Sequence, residues 1–302
     1  MELALLPFVA ASSLRRKHTN ILKLRFPSLL TPLVVSANKS KFPLACRCFG
    51  DVPEPAVVRS SAREFSVLSH KIPWEKGNTW TIMAMYMFNL HIPLGVCGLS
   101  VASYLLRKPI LEPQTEAVSL LAMQVLELAG SQLLLAIYAA TNFNYLSFFD
   151  DEHVIEERNW ILASTLGFAV ILLLIFFTSI VCDGILGSKE VSSSHVKEML
   201  SSSTLGRSAC ALVYCFVTPL MEESMYRGFL LRSLASTMKW QKAVLLSSAA
   251  FSAAHFSGEN FPQLFAIGCV LGSCYCWTGR LRSSFAIHSL YNSLTLMVSY
   301  FS

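Results

Sequence analysis

The sequence predicts an all-α, polytopic membrane protein of about six to eight transmembrane helices, built around an intramembrane polar site. Three observations carry that prediction. Of the 302 residues, 53% are hydrophobic and only 14% charged, at a mean hydropathy of +0.50, whereas soluble domains carry roughly 25% charged residues. Apolar stretches near the ~20 residues needed to cross a bilayer recur from residue 80 to residue 301. One of those stretches holds Glu222, Glu223 and Arg227, at a depth where each ionisable group costs roughly 2.5–3.5 kcal/mol or more.

The N-terminus reads differently. Residues 3–50 contain eight Lys or Arg and no Asp or Glu, with Ser12, Ser13, Ser28, Ser36 and Ser40 among them. A basic, serine-bearing, acid-free segment is the pattern of an organelle transit peptide, here assigned to residues 1–50. A chloroplast address is the first reading and a mitochondrial one the second. The apolar run Leu3–Ala11 lacks a preceding positive region, which weakens a secretory reading. Residues 51–76, with Asp51, Pro53, Pro55 and Pro73, read as a polar linker. Residues 77–302 form the multi-span membrane domain.

Net charge of +5 would suit nucleic acid, but the basic residues gather at the N-terminus and at helix ends. That distribution fits targeting and topology, so the expected partner is the lipid bilayer and not nucleic acid. The nine cysteines are scattered, several of them inside apolar runs, and Cys46–Cys48 and Cys274–Cys276 lack metal-knuckle spacing. Neither a disulfide framework nor a cysteine zinc site is expected.

The apolar segments fall at about 80–106, 117–143, 160–186, 207–232, 242–257, 261–279 and 282–301. The first is interrupted by Asn89, His91 and Pro93. The fifth and sixth are short and enclose Ser257–Asn260, which suggests a helical hairpin. Asp150, Asp151, Glu152, Glu156, Glu157 and Arg158 make a polar loop after the second span, and Ser192–Ser203 another after the third. Arg232, Lys239, Lys242, Arg280 and Arg282 place two loops on the stromal or matrix side. Arg107 and Lys108 contradict that trend under a seven-span count.

On a helix, Glu223 and Arg227 are four apart and share a face, while Glu222 lies about 140° round from Arg227. One acid is therefore expected to pair with the arginine and the other to face a cavity. The bland alternative is a Glu–Arg lock between two helices, which a single acid would satisfy. Later spans carry His255, one turn after Phe251, and His288, one turn before Asn292. His91 is read as a satisfied core histidine. At 1.5 Å per residue, Glu222 lies about 15 Å from Arg232, His255 about 20 Å from Lys242 and His288 about 9 Å from Arg282. Those depths allow convergence in one half of the bilayer.

This inventory suits hydrolysis by water. A carboxylate in a low dielectric is a general base, a histidine beside it can hold water, and an imidazole with a carboxamide can donate to an oxyanion. Glu222, His255 and His288 also make an acceptable zinc set with one open position. The residue types leave both readings open.

Glu222-Glu223-x-x-x-Arg227, Phe251-x-x-x-His255 and His288-x-x-x-Asn292, in that order on successive hydrophobic helices, resemble the CAAX protease and bacteriocin-processing (Abi-type) family of intramembrane endopeptidases, which has plastid members. The resemblance covers about residues 200–302. It implies that Glu222 activates water with help from His255, that His288 and Asn292 stabilise the oxyanion, and that Glu223 and Arg227 are architectural. It also implies a peptide or membrane-protein substrate and leaves zinc optional. Two other classes are kept: an idle relative acting as a membrane scaffold or stability factor, and a proton-coupled carrier using Glu127 and Glu222. Gln124, Glu127 and Ser131 do form a polar stripe, but helix packing accounts for one equally well.

Overall fold

Helix ends in this chain carry their own punctuation. Pro113 and Pro262 sit at the first turns of two long helices, where a missing N–H costs nothing. The Ser203 side chain caps a third by accepting from Gly206 N at 3.0 Å. Gly279, at φ 67°, ends the second of the proline-started helices in the left-handed conformation that glycine adopts freely.

These elements are seen in a computed structural model that describes residues 65–68, 72–139, 149, 158–186, 194–258 and 260–301, with backbone alone for 179–186 and 194. One compact unit includes Phe65–Ser302. The expected transit peptide and residues 51–64 of the expected linker lie outside the described residues, as do loop acids 150–157.

The helices are α1 (Thr79–Tyr86), running on through a π-helical stretch (Met87–Val96), α2 (Gly98–Leu105), α3 (Pro113–Tyr138), α4 (Trp160–Leu186), α5 (Ser194–Ser202) and α6 (Thr204–Leu212). A π stretch (Val213–Val217), α7 (Thr218–Glu222), a second π stretch (Glu223–Leu231) and α8 (Arg232–Ala235) then continue α6 as one 32-residue rod. After it come α9 (Trp240–Ala254), α10 (Phe261–Thr278) and α11 (Leu281–Phe301). The architecture is all-α among the described residues.

Among the described residues, four helices are long and apolar enough to cross a membrane, or five if the bent pair Lys76–Val96 and Gly98–Leu105 counts as one span. This is fewer than the six to eight expected, for two physical reasons. α9 has only 15 residues, and α11 dilutes its apolar side chains with Ser283, Ser284, His288, Ser289, Asn292 and Ser293. The interruption expected in the first span is a 58° bend after Pro93.

Burial departs from that of a soluble protein, with apolar side chains outside as well as in the core. Leu133, Ile137, Leu166 and Phe176 face outward, while Gln124, Glu127, Glu222, Glu223, Arg227, His288 and Asn292 are buried. Apolar surround and polar interior are what a bilayer demands. α9 and α10 pack closely because Gly268 and Gly272, one turn apart, face Ser248 and Val244.

Two non-helical segments are held by long-range hydrogen bonds. Residues 65–68 and 72–76, read as the end of a linker, lie against this unit: Val67 N donates to Cys276 O at 3.0 Å and Trp74 Nε1 to Ser233 Oγ at 2.7 Å. Arg158, read as a loop residue, is buried because its Nη1 donates to Phe65 O at 2.6 Å and Trp277 O at 2.7 Å.

Candidate active site

The acid-bearing rod is broken in a specific way before Glu222. Thr218 N–H donates five residues back, to Val213 O, and Pro219 has no N–H to donate. The carbonyls of Tyr214 and Cys215 therefore lose their ordinary helical donors. Inside a membrane domain such groups need replacements. α11 supplies them: Asn292 Nδ2 donates to Tyr214 O at 2.9 Å, and Ser289 Oγ donates to Cys215 O. The helix carrying His288 is thereby docked onto the helix carrying Glu222.

Glu223 and Arg227 pair as their spacing predicts, at 3.0 Å, with both side chains essentially sealed from solvent. Arg227 also lays its guanidinium 4.4 Å over the Phe251 ring and reaches Gly268 O at 3.5 Å. The same Glu223 Oε1 lies 3.0 Å from His288 Nδ1. A carboxylate beside an arginine only accepts, so His288 Nδ1 carries a proton and its Nε2 is turned away from Glu223. The bond from His288 to Glu223 is absent from the sequence reading, which gives Glu223 to Arg227 alone.

Glu222 is left for the cavity. Its Oε1 stands 3.7 Å from His255 Nε2 and its Oε2 3.5 Å from His288 Nε2. Both separations exceed a good direct hydrogen bond. His255 Nδ1 donates to Phe251 O at 2.8 Å, so its Nε2 is free to accept. Phe251 holds both imidazoles edge-on, with ring centres at 4.7 Å for His255 and 6.0 Å for His288. The cavity itself is about 30 Å³ and is lined by Glu222, His255, His288 and Asn292 together with Gln124, Thr218 and Tyr214. A site of that size takes a water molecule.

Glu222, His255, His288 and Asn292 thus meet at one cavity, and Glu223 and Arg227 stand directly behind it. Ser289, Gln124 and Thr218 are additional. Thr218 Oγ1 donates to Gln124 Oε1 at 3.1 Å, joining α3 to the turn before Glu222. Pro219 is the sequence signal that points to Ser289, since a proline inside a helix frees a carbonyl that something must meet.

The zinc set fares less well than its residue types suggest. Two imidazole Nε2 atoms and a carboxylate are suitable donors. However, the two histidines approach opposite oxygens of Glu222, and among the described residues no group of three His, Cys, Asp or Glu converges so as to hold a metal ion. The donors present do not fit a zinc ion as arranged.

Comparisons with known proteins agree with this part of the chain. Residues 205–294 match the family described as "Type II CAAX prenyl endopeptidase Rce1-like". The chain is 26% identical over 151 residues to the membrane-embedded CAAX protease MroQ of Staphylococcus aureus (strain USA300), an alignment covering 47% of this chain and 60% of that protein. The chain thus spans a little over half the length of the curated relative it matches. No solved structure matches. The likeness is to CAAX-protease-type intramembrane proteases, and it includes every residue of the cavity contributed by the acid rod, α9 and α11.

Proposed function

We propose that this chain is an intramembrane endopeptidase that hydrolyses peptide bonds of membrane-associated substrates with water activated by Glu222. The observation that carries the proposal is Glu222 standing between the Nε2 atoms of His255 and His288, at 3.7 and 3.5 Å, on a water-sized cavity.

In this reading a water in the cavity donates one hydrogen to the Glu222 carboxylate and the other to His255 Nε2, which its Nδ1–H bond to Phe251 O leaves as an acceptor. The water oxygen attacks the scissile carbonyl carbon, and its proton passes to Glu222. The developing oxyanion is met by the Asn292 amide hydrogen not engaged by Tyr214 O and by His288 Nε2 when that nitrogen carries a proton. Collapse breaks the C–N bond, and Glu222 returns the proton to the leaving amine. Every step uses this chain's own residues. None runs through a metal, because the donors do not converge on one.

The proposal extends to the parts of the chain outside this site. It takes residues 1–50 as a transit peptide, residues 51–76 as a linker and 77–302 as the membrane domain. It places the protein in an organelle membrane, chloroplast first, and counts α9 and α11 among six to eight membrane-crossing elements. The substrate is a peptide segment within or emerging from the bilayer.

One observation favours a second reading. A cavity of about 30 Å³ admits water but not a peptide, which suits an idle relative acting as a membrane scaffold. The experiment uses purified protein in lipid, a quenched-fluorescence peptide library, and Glu222→Gln in parallel, with EDTA and zinc-repletion arms. Cleavage by wild type and not by the variant is expected. Equal cleavage by both would overturn the role of Glu222. Activity lost to EDTA and restored by zinc would overturn the metal-free step. Full rescue of a knockout by Glu222→Gln would instead establish the scaffold.

A further inference from the structure

A second buried acid–histidine pair lies beside this site, and the mechanism above leaves it unused. Glu127, on α3, is fully buried, and His91, in the π stretch after α1, is 4% exposed. His91 Nδ1 lies 2.8 Å from Glu127 Oε1. The Tyr86 hydroxyl donates to that oxygen at 3.1 Å, and Gln124 Nε2 donates to the other at 3.0 Å. Both carboxylate oxygens are therefore engaged, and Glu127 is the hub of a closed network, which gives no support to a relay toward Glu222.

Two arms of this hub reach the site. Through Gln124 it holds Thr218, one turn before Glu222. Through His91 it holds the end of α9: His91 Nε2 lies 3.2 Å from Ala254 O. A carbonyl only accepts, so Nε2 carries a proton there.

The last turn of α9 explains why that contact matters. A helix end leaves four carbonyls without intrahelical donors. Here Phe251 O receives His255 Nδ1–H, Ser252 O receives His255 N–H at 3.3 Å, Ala253 O receives Phe256 N–H at 3.1 Å, and Ala254 O receives His91. His255 is thus part of the cap of its own helix. The bond that fixes its ring orientation, Nδ1 to Phe251 O, holds only while that turn stays closed. Phe256, at φ 50°, sits in the left-handed region immediately after it, a conformation that disfavours a non-glycine residue. The turn is under strain on one side of His255 and tied down by His91 on the other.

We propose that His91 and Glu127 are positioning residues for His255. Glu127 orients the His91 ring, His91 closes the α9 terminus, and the closed terminus presents His255 Nε2 to Glu222. The effect on rate rests on the peptidase reading. The effect on His255 does not.

The test uses the full chain in lipid with ¹⁵N-labelled histidine, as wild type, His91→Leu/Glu127→Leu, His91→Gln and Glu222→Gln. Replacing both members of the pair avoids stranding a buried charge, so the double variant is expected to fold. Folding is read by thermal unfolding and the His255 ring by its nitrogen shifts. The wild type is expected to show one Nδ1-protonated tautomer. The double variant is expected to lose that single signature, with kcat on any cleaved peptide down about tenfold or more at unchanged KM. His91→Gln keeps an amide N–H for Ala254 O and is expected to retain the signature. A folded double variant with the wild-type His255 spectrum would overturn the proposal. So would His91→Gln losing the signature as fully as the double variant. Undiminished cleavage by Glu222→Gln would defeat the peptidase reading while the His255 spectra still decided this one.

Discussion

Removing Arg227 should unfold the site before it alters any chemistry. Its Nη1 stands 3.0 Å from Glu223 Oε1, an attraction on the order of 5 kcal/mol at an effective dielectric of about 20. Desolvation of both ions cancels much of that in the intact pair. Taking away the cation alone leaves Glu223 buried without its guanidinium partner, so Arg227→Met should cost about 3–5 kcal/mol. Arg227→Lys keeps the charge but loses the flat face over Phe251 and the second arm toward Gly268 O, for about 1–2 kcal/mol. Replacing both partners, Glu223→Leu/Arg227→Met, should recover stability to within about 1 kcal/mol of wild type. That double variant should nevertheless be inactive, because His288 Nδ1 would have lost its acceptor. Unfolding in mixed micelles titrated with SDS measures the stability of all three variants against wild type. Arg227→Met within 1 kcal/mol of wild type, or a double variant no better than the single, would refute the reasoning.

Six further substitutions test the surroundings. A Cβ at Gly268 would meet Ser248 Cβ at 2.9 Å, so Gly268→Ala should lose about 1–3 kcal/mol of stability by the same titration, while Gly258→Ala, with nothing within 4 Å, should be silent. Trp74→Phe removes the indole donor to Ser233 Oγ and should lower stability by about 1 kcal/mol. Phe256→Gly relieves a positive φ and should raise the unfolding midpoint, worth roughly 1 kcal/mol. Asn292→Asp keeps the shape but cannot donate to Tyr214 O, and it should destabilise more than Ser289→Ala; the reverse order would place the main clamp at Cys215 O.

Much of this arrangement is legible in the residues. Helix positions follow from apolar runs, and six of the seven expected spans coincide with helices to within a few residues, from 113–138 to 281–301. The Glu223–Arg227 pair follows from four-residue spacing, and the bend after His91 from Pro93. What escapes is long-range or depends on backbone register. Nothing local assigns His288 to Glu223 rather than to an oxyanion, because the partner lies 65 residues away. Nothing local sends the Asn292 amide to Tyr214 O, 78 residues away. Hydropathy counts fewer spans where function displaces apolar side chains. α11 carries the site's imidazole and carboxamide, and its serines, one of which meets Cys215 O, lower its apolar character below that of a simple span.

The π stretches on the acid rod connect these points. A strict α-helix through Pro219 would strand one carbonyl; the five-residue step from Thr218 to Val213 strands a second beside it. Two adjacent free carbonyls are a docking edge for another helix, and in a bilayer that edge must be met. α11 meets it with Ser289 and Asn292, spaced so that His288, next to the first of them, points at the two acids. At the end of α9 the same requirement is met by His255 and His91. Two of the polar groups that face the cavity therefore also settle helix backbone, His255 on its own helix and Asn292 on the acid rod. This joint role explains why an apolar environment tolerates so many polar side chains at one place. It also implies that truncating either of those two disturbs packing together with chemistry. Isosteric changes that keep the backbone hydrogen bonds, such as Glu222→Gln, are consequently the ones that report on catalysis alone.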